Sequence, residues 1–315
     1  MGRLGRCAAA VGLAGTMAFV ALTAATPAVA VTGGPGYRLL GGDGGIFAFG
    51  SSRFFGSAAA SPTDCPADPP ARSMPDGSCW SMAATPDDRG YWIVGAYSGR
   101  VFPFGDAVSY GQPADGVAYA GGADTWPDAI GIAPTPDGRG YWVLLVGLSG
   151  LGSVQPFGDA TSYGDETTVS HGTGHAGLPV ALVATPDGTG YWIVDSDGGV
   201  FAFGSAAFRG STGGTRLNAP VVAAAATSDG KGYWLVAADG GVFAFGDAVF
   251  GGSMGGVRLA APVVGIAPDH AGPGYWLAAS DGGVFALGGA PFLGSMGGSP
   301  LHRPVFAVAA AAPTT

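Results

Sequence analysis

Short apolar runs alternate with glycine-rich turns along most of the chain. In one representative stretch, the turn Thr185-Pro186-Asp187-Gly188 separates apolar runs at 180–184 and 191–194, and Asp197-Gly198-Gly199 precedes a third run at 200–203. Asp-Gly and Gly-Gly between short runs rich in Val, Ile, Tyr, Phe and Trp are hairpin signals, because these turns need positive backbone φ. A fourth run follows at 207–210. The pattern predicts a unit of four antiparallel strands.

This unit repeats along the chain. Complete Gly-Tyr-Trp triplets begin at Gly90, Gly140, Gly190, Gly232 and Gly274, and a degenerate Gly-Tyr-Arg copy begins at Gly36. The middle runs of each unit are apolar on both faces, so both faces must be covered. Stacking the units around a ring provides this cover, and about 40 residues for four strands is the period of a β-propeller. The sequence therefore predicts an all-β, six-bladed β-propeller.

The two ends of the chain complement each other. The first copy begins at the second-strand position, at Tyr37, and the strand that it lacks is matched by residues 304–309. Pairing of 304–309 with the N-terminal blade would close the ring and remove its open edge. Between a short lead at 31–36 and a tail at 312–315, the propeller is expected to span 37–311, with blades at 37–57 plus 304–309, 79–112, 128–164, 179–211, 220–253 and 262–295.

Composition agrees with this interpretation once the repeat is known. The chain has 60 Gly and 24 Pro among 315 residues, a fraction near the low-complexity range, yet 47% of its residues are hydrophobic and only 11% are charged. A disordered chain is more polar than this. The net charge of −9 repels phosphate backbones, so no nucleic-acid partner is expected.

The N-terminus predicts export. Arg3 and Arg6 precede an apolar stretch at 11–25, and Ala28-Val29-Ala30 offers small residues for cleavage, which together indicate a signal peptide at 1–30. An uncleaved membrane anchor is the alternative. After cleavage no membrane span is expected, and the protein would be secreted or associated with the cell envelope. The two cysteines that remain, Cys65 and Cys79, predict a disulfide.

One stretch carries a family resemblance. Residues 232–253, GYWLVAADGGVFAFGDAVFGGS, and the near copy at 274–295 resemble the secreted propeller-like repeat of many actinobacterial exported proteins, which sometimes stands beside hydrolase or cell-wall modules. The resemblance covers nearly all of the mature chain. It implies an extracellular propeller and brings no catalytic residues. The second and third copies depart from the pattern, at 98–100 and at 147–153.

Three insertions, at 58–78, 113–127 and 165–178, lengthen the same kind of blade-to-blade connection. Long loops on a rigid scaffold commonly carry binding sites. In and beside the second insertion, aromatic and acidic side chains stand outside the repeat pattern and suit contact with a glycan or peptide. Simple loop packing is the alternative for this set, which is Tyr119, Asp124, Trp126 and Asp128.

The third insertion combines Asp165 and Glu166 with His171 and His175. Two imidazoles and two carboxylates are possible zinc ligands, but Gly172 and Gly174 disfavour the helix that a metalloprotease motif requires. A solvated loop is favoured, so no metal or cofactor is expected. Inter-blade packing is favoured for the repeated Trp residues and turn capping for the repeated Asp-Gly-Gly carboxylates.

These observations favour a secreted, non-catalytic binding scaffold, whose partner is an extracellular glycan, cell-wall component or protein. Two alternatives remain. One is an extracellular propeller hydrolase or lyase that acts on polysaccharide with carboxylates or histidines from the inserted loops. The other is a structural protein of the cell envelope.

Overall fold

A computed structural model describes residues 34–59, 80–113, 128–147, 149–169 and 177–311. All of them belong to one compact unit, Val31–Thr315. Several predictions fall outside these ranges: the signal peptide at 1–30, the disulfide between Cys65 and Cys79, and the candidate residues Tyr119, Asp124, Trp126, His171 and His175. Within the described ranges no helix is long and apolar enough to cross a membrane.

The described residues form 18 strands and one short 3-10 helix at Glu166–Thr168. In chain order the strands are β1 (Gly36–Gly41), β2 (Ile46–Gly50), β3 (Trp80–Ala84), β4 (Gly90–Gly95), β5 (Val101–Gly105), β6 (Asp128–Pro134), β7 (Gly140–Val146), β8 (Gly152–Gly158), β9 (Pro179–Ala184), β10 (Gly190–Asp195), β11 (Val200–Gly204), β12 (Val221–Ala226), β13 (Gly232–Ala237), β14 (Val242–Gly246), β15 (Val263–Pro268), β16 (Tyr275–Ala279), β17 (Val284–Leu287) and β18 (Val305–Ala310).

The strands pair antiparallel into six three-stranded sheets. Sheet 1 is β18-β1-β2, and sheets 2 to 6 each take three consecutive strands, from β3-β4-β5 to β15-β16-β17. One edge strand of each sheet contacts the corresponding edge strand of both neighbouring sheets, and β18, for example, contacts both β15 and β3. We call these six strands the inner strands, and they are β18, β3, β6, β9, β12 and β15. The number of sheets equals the number of repeats in the sequence.

Sheet 1 joins the two ends of the chain. The strand β18 pairs with β1, so that Tyr37 lies opposite Ala310 and Leu40 lies opposite Ala307. The backbone N–H of Ala311 also donates to the carbonyl of Gly36, at 2.8 Å. The C-terminal segment thus lies beside the first Gly-Tyr copy, as the sequence predicted.

The expected fourth strand is not present in the described sheets. The run at 207–210, for example, has no ladder partner. Its backbone groups form hydrogen bonds with side chains instead. The indole of Trp192 donates to the carbonyl of Ala207, and the hydroxyl of Tyr233 accepts from the Arg209 N–H and donates to the Gly210 carbonyl. Polar backbone groups that are satisfied in this way need no strand pairing. We call the equivalent run of each sheet its clamped segment.

The same clamp recurs between every pair of consecutive sheets. The Tyr hydroxyl of one sheet donates to a Gly carbonyl in the clamped segment of the preceding sheet, and Tyr37 of sheet 1 donates in the same way to Gly294 of sheet 6. Burial raises the pKa of Tyr37 to about 12, so its hydroxyl keeps the proton that it donates. The contacts therefore run from sheet 1 to sheet 6 and back to sheet 1.

The repeated aromatic residues form the core between sheets. The Trp of the middle strand is fully or almost fully buried in each complete copy, and its ring lies 5.5 to 5.7 Å from the Tyr ring of the next sheet in sheets 2 to 5. Trp276 and Tyr37 continue the series at 5.0 Å. Such tilted aromatic pairs add to the stabilisation from burial alone. The prediction that these Trp residues pack between sheets is confirmed.

Candidate functional site

The six inner strands surround one cavity of about 470 Å³. Each contributes apolar side chains to its wall, among them Met82, Ile130, Leu182, Val222 and Val308. Ser81, Ser196 and Ser280 are the hydroxyl-bearing residues, and none of the described residues that line the cavity is charged. Its size lies within the range of small-molecule pockets. The cavity is suited to an apolar group rather than to an ion.

The cavity lies toward one face of the molecule. Its wall includes residues of second-to-third strand turns, such as Ser196 and Ser280, and the prolines that precede inner strands, such as Pro220 and Pro262. It does not include the opposite ends of those strands, such as Ala226. We call the side with the second-to-third turns and the sheet-to-sheet connections the connection face, and the opposite side the turn face.

Backbone hydrogen bonds between sheets fix the rim of the cavity. The carbonyl of Ser196 in sheet 4 accepts from the Val221 N–H of sheet 5, and the carbonyl of Ala238 accepts from the Val263 N–H of sheet 6. The carbonyl of Ser280 accepts in the same way from the Val305 N–H of sheet 1. The rim is therefore built from main-chain groups of neighbouring sheets, which makes it rigid.

The insertions begin and end on the connection face. The Ala58 N–H, at the start of the first insertion, donates to Gly44 in a second-to-third turn. The Leu178 carbonyl, at the end of the third, accepts from the Ser196 N–H, and Ala129, just beyond the second, donates to Ala96. The described ends of the three insertions thus lie on the same side as the cavity.

The structure describes two of the candidate site residues, and it does not bring them together. Asp128 is the half-buried first residue of β6, the inner strand of sheet 3. Asp165 caps the 3-10 helix beyond the other edge of that sheet, where its carboxylate accepts from the N–H groups of Thr167 and Val154. Since β7 lies between β6 and β8, about 10 Å separates the two edges. Asp165 supports its own loop.

A pair of buried carboxyl groups lies where the third insertion meets sheet 4. Glu166 and Asp195 are both fully buried. The Oε2 atom of Glu166 accepts from the Gly152 N–H at 2.7 Å, and the carboxyl group of Asp195 lies near that of Glu166. Burial, followed by the charge of Glu166, raises the pKa of Asp195 to about 9. At neutral pH such a pair keeps one proton between its two carboxyl groups, because two buried like charges at this separation repel each other.

Neither of these carboxyl groups lines the central cavity. Without access to a ligand they act as positioning residues, which attach residues 165–169 to the end of β10. The pairing of these two carboxyl groups was not predicted from the sequence. A signal was available for Asp195, because the other sheets carry Gly, Ala or Leu at this end of the middle strand, at Gly41, Gly95, Leu145, Ala237 and Ala279.

The repeated Asp-Gly-Gly carboxylates have local roles. Asp197, Asp239 and Asp281 each accept from the N–H of the glycine two residues later, at 2.8 to 2.9 Å. The prediction of turn capping is therefore confirmed for these three. No three His, Cys, Asp or Glu side chains in the part of the chain that the structure describes are grouped so that they could hold a metal ion.

Neither a family model nor a curated protein matches this chain. Among solved structures, the chain is similar to the crystal structure of the β-propeller domain of Cps50 (Swd1) from Myceliophteria thermophila. The two share 11% sequence identity, and the match covers 70% of this chain and 72% of that chain, with a TM-score of 0.43. At this TM-score the likeness decides nothing about the fold, which rests on the strand pairing described above.

Proposed function

We propose that the protein is an exported, non-catalytic binding scaffold, in which the six sheets are the blades of one closed propeller. The connection face would be its binding surface, formed by the cavity and the three insertions around it. The partner would be an extracellular glycan, a cell-wall component or a protein. The observation that carries this proposal is a cavity without charged lining residues, on the side where the insertions begin and end.

The arrangement of polar groups supports binding over catalysis. Hydrolysis or lysis of a polysaccharide needs carboxyl or imidazole groups that converge on one substrate. The described carboxyl pair, Asp195 and Glu166, is fully buried and does not reach the cavity. An apolar cavity with a rigid rim instead suits an apolar group of the partner, while the insertions supply further contacts.

The proposal is tested with protein that begins at Val31 and carries one of two changes. In the first variant, residues 113–127 are replaced by a connection of eight residues. In the second, Val222→Asp places a carboxylate in the wall of the cavity. Binding is measured on a glycan array and by sedimentation with insoluble cell-wall polysaccharide. We expect the loop replacement to reduce retention at least about 10-fold, the loss of roughly one strong contact.

The control exchanges the equally short connection 212–219 for the sequence of 254–261, which should leave binding unchanged. Circular dichroism confirms that each variant is folded. If the Val222→Asp variant is also retained less than wild type, even by a smaller factor than the loop variant, the partner also enters the cavity. Equal retention of wild type and loop variant, or no retention of wild type, would contradict the proposed role of the connection face.

A further inference from the structure

One junction between neighbouring sheets differs from the others by two carboxyl groups. Glu166 is the second residue after the Gly carbonyl that the Tyr hydroxyl of sheet 4 binds. The other sheets have no charge at this position, where they carry Ala58, Pro113, Thr212, Met254 and Met296. Asp195 likewise ends its middle strand where the other sheets have Gly, Ala or Leu. The two acidic residues are thus departures from the repeat at one place, between sheets 3 and 4.

Glu166 attaches the start of the third insertion to the rest of the molecule. Of residues 165–169 it is the only buried one, and the three that follow it are exposed. Its Oε2 atom accepts from the Gly152 N–H of sheet 3, and its carboxyl group lies near that of Asp195 in sheet 4. The pair thus links the first turn of the insertion to sheet 4.

The charged side chains on the elements around the pair are all negative. Asp197 lies near Asp195, and Asp165 precedes Glu166. Neither belongs to the pair, because Asp197 caps its own turn and Asp165 accepts from N–H groups of its own loop and of β8. No Lys, Arg or His occurs in the described elements around the pair, which are 152–158, 165–169, 177–184 and 190–199. Because these elements supply no cation, one of the two buried charges is neutralised by a proton.

We propose that Glu166 and Asp195 form a pH-sensitive latch, in which one proton between the two carboxyl groups holds residues 165–169 against sheet 4. When this proton leaves to the solvent, two buried carboxylates repel each other, and release of Glu166 into water removes the repulsion. The latch concerns how the insertion is held, so it is independent of what binds at the connection face.

The direction of the pH dependence follows from the number of bound protons. Burial, followed by the charge of Glu166, raises the pKa of Asp195 to about 9, whereas a carboxyl group in water has a pKa of about 4. Between these two values the attached state holds one proton more than the released state. Attachment is therefore strongest at low pH and is lost as pH rises toward 9, by at most about 10-fold in its equilibrium constant per pH unit.

A glutamate-specific endoproteinase measures the release, because Glu166 is the only glutamate in the chain. The protease cannot reach a buried side chain, so cleavage after Glu166 reports the released state. The rate is measured from pH 6 to pH 8, in a buffer in which the protease does not cleave after Asp. It is divided by the rate for a peptide of residues 160–172, which removes the pH dependence of the protease itself. The relative rate should rise at least about 10-fold over this range, where one proton allows at most about 100-fold.

Two variants of similar shape separate the pair from its surroundings. In Asp195→Asn the side-chain amide donates to the Glu166 carboxylate, so the attached state needs no extra proton. Its relative cleavage rate should be low and should change less than about 2-fold from pH 6 to pH 8. Asp197→Asn is the matched control and should keep the wild-type pH dependence. Circular dichroism at each pH confirms that the sheets remain folded.

Urea distinguishes local release from unfolding of the whole protein. Detachment of a few residues exposes little surface, so about 1 M urea should change the wild-type rate less than about 2-fold, whereas global unfolding responds steeply to urea. A wild-type rate that does not change with pH, one that rises with urea in step with unfolding, or equal pH dependence in wild type and Asp195→Asn would each overturn the proposal. So would cleavage of wild type that EDTA induces at pH 7, because a metal ion would then hold the pair.

Discussion

At the scale of single residues, two substitutions in the repeat compensate for each other, one in sheet 1 and one in the first-to-second turn of sheet 2. Arg38 occupies the Trp position, and its Nε donates to the Arg53 carbonyl just as the indoles donate in the other sheets. Its Nη1 reaches Asp88 at 2.6 Å, and the guanidinium lies over the ring of Tyr91. Asp88 replaces a turn glycine at φ +57°, close to the φ of +70° at Gly138 in sheet 3.

The absence of a turn in sheet 1 explains why Asp88 fits. In sheets 3 and 4 a Cβ atom added to the turn glycine would lie within 3.2 Å of a proline in the turn of the preceding sheet. For Gly138 of sheet 3 this proline is Pro86. Sheet 1 has no first-to-second turn, because its two strands come from opposite ends of the chain. The sequence shows Arg38 as a degenerate copy, but it does not reveal Asp88 as its partner, because the pairing depends on this gap.

We predict that the pair can be exchanged for the residues of the other sheets only as a unit. Asp88→Gly alone leaves the fully buried Arg38 without its carboxylate, and Arg38→Trp alone leaves Asp88 without its cation, so each should lower the free energy of unfolding by about 3 kcal/mol. The double variant restores a Trp above Tyr91 and a glycine at positive φ. It should recover most of the loss in a urea titration. Additive losses would contradict this coupling.

At the scale of elements, the sequence predicted the hairpins well and the fourth strand poorly. Turns such as Thr185-Pro186-Asp187-Gly188 are set by local chemistry: the Thr185 hydroxyl accepts from the Gly190 N–H and donates to the Asp187 carboxylate. The clamped segments have the composition of strands, but Trp and Tyr side chains from two different sheets bind their backbone. Periodicity along the chain does not reveal such contacts. The same holds for Asp195 and Glu166, which belong to different elements.

The buried carboxyl pair predicts how stability depends on pH. The pKa of Asp195 is raised in the folded state, so between about pH 4 and pH 9 the folded protein binds more protons than the unfolded chain. Stability should therefore fall as pH rises through this range, with a slope of at most about 1.4 kcal/mol per pH unit for one proton. Glu166 and Asp197 are the carboxylates that face Asp195.

Asp195→Asn removes this dependence and keeps the shape of the side chain. It should raise the free energy of unfolding at pH 8 and flatten the pH profile, both measured by urea titration from pH 5 to 9. Asp197→Asn is the matched control, because Asp197 caps a turn and should leave the slope nearly unchanged. A wild-type profile that is flat over this range, or equal slopes for wild type and Asp195→Asn, would contradict the shared proton.

At the scale of the whole molecule, the repeat count and the position of the C-terminal strand followed from the sequence alone. Six Gly-Tyr copies became six sheets, and the segment predicted to complete sheet 1 pairs there. Both features depend on repetition, which the sequence displays directly. The contacts of the insertions could not be predicted from the sequence, because their residues follow no repeat. Each such contact is specific to one pair of sheets, as Glu166 shows.

The proposed closed ring predicts that the chain can be opened elsewhere. Ala311 donates to Gly36 as Thr227 donates to Gly232 in sheet 5, where four residues, 228–231, complete the turn. A linker of four Gly and Ser residues between Ala311 and Gly36 should therefore join the ends without strain. New termini placed between Arg216 and Leu217 fall in an exposed connection, outside every strand. This permutant should keep the circular dichroism spectrum and a single cooperative unfolding transition.

The permutant also separates a closed ring from a looser row of sheets. In a ring every junction is equivalent, so moving the chain break from sheet 1 to the connection between sheets 4 and 5 preserves all strand pairs and all Tyr clamps. A permutant with the same linker but with its termini between Trp234 and Leu235 divides β13 and should lose the cooperative transition. If the first permutant also unfolded over a broad range, the equivalence of the six junctions would be wrong.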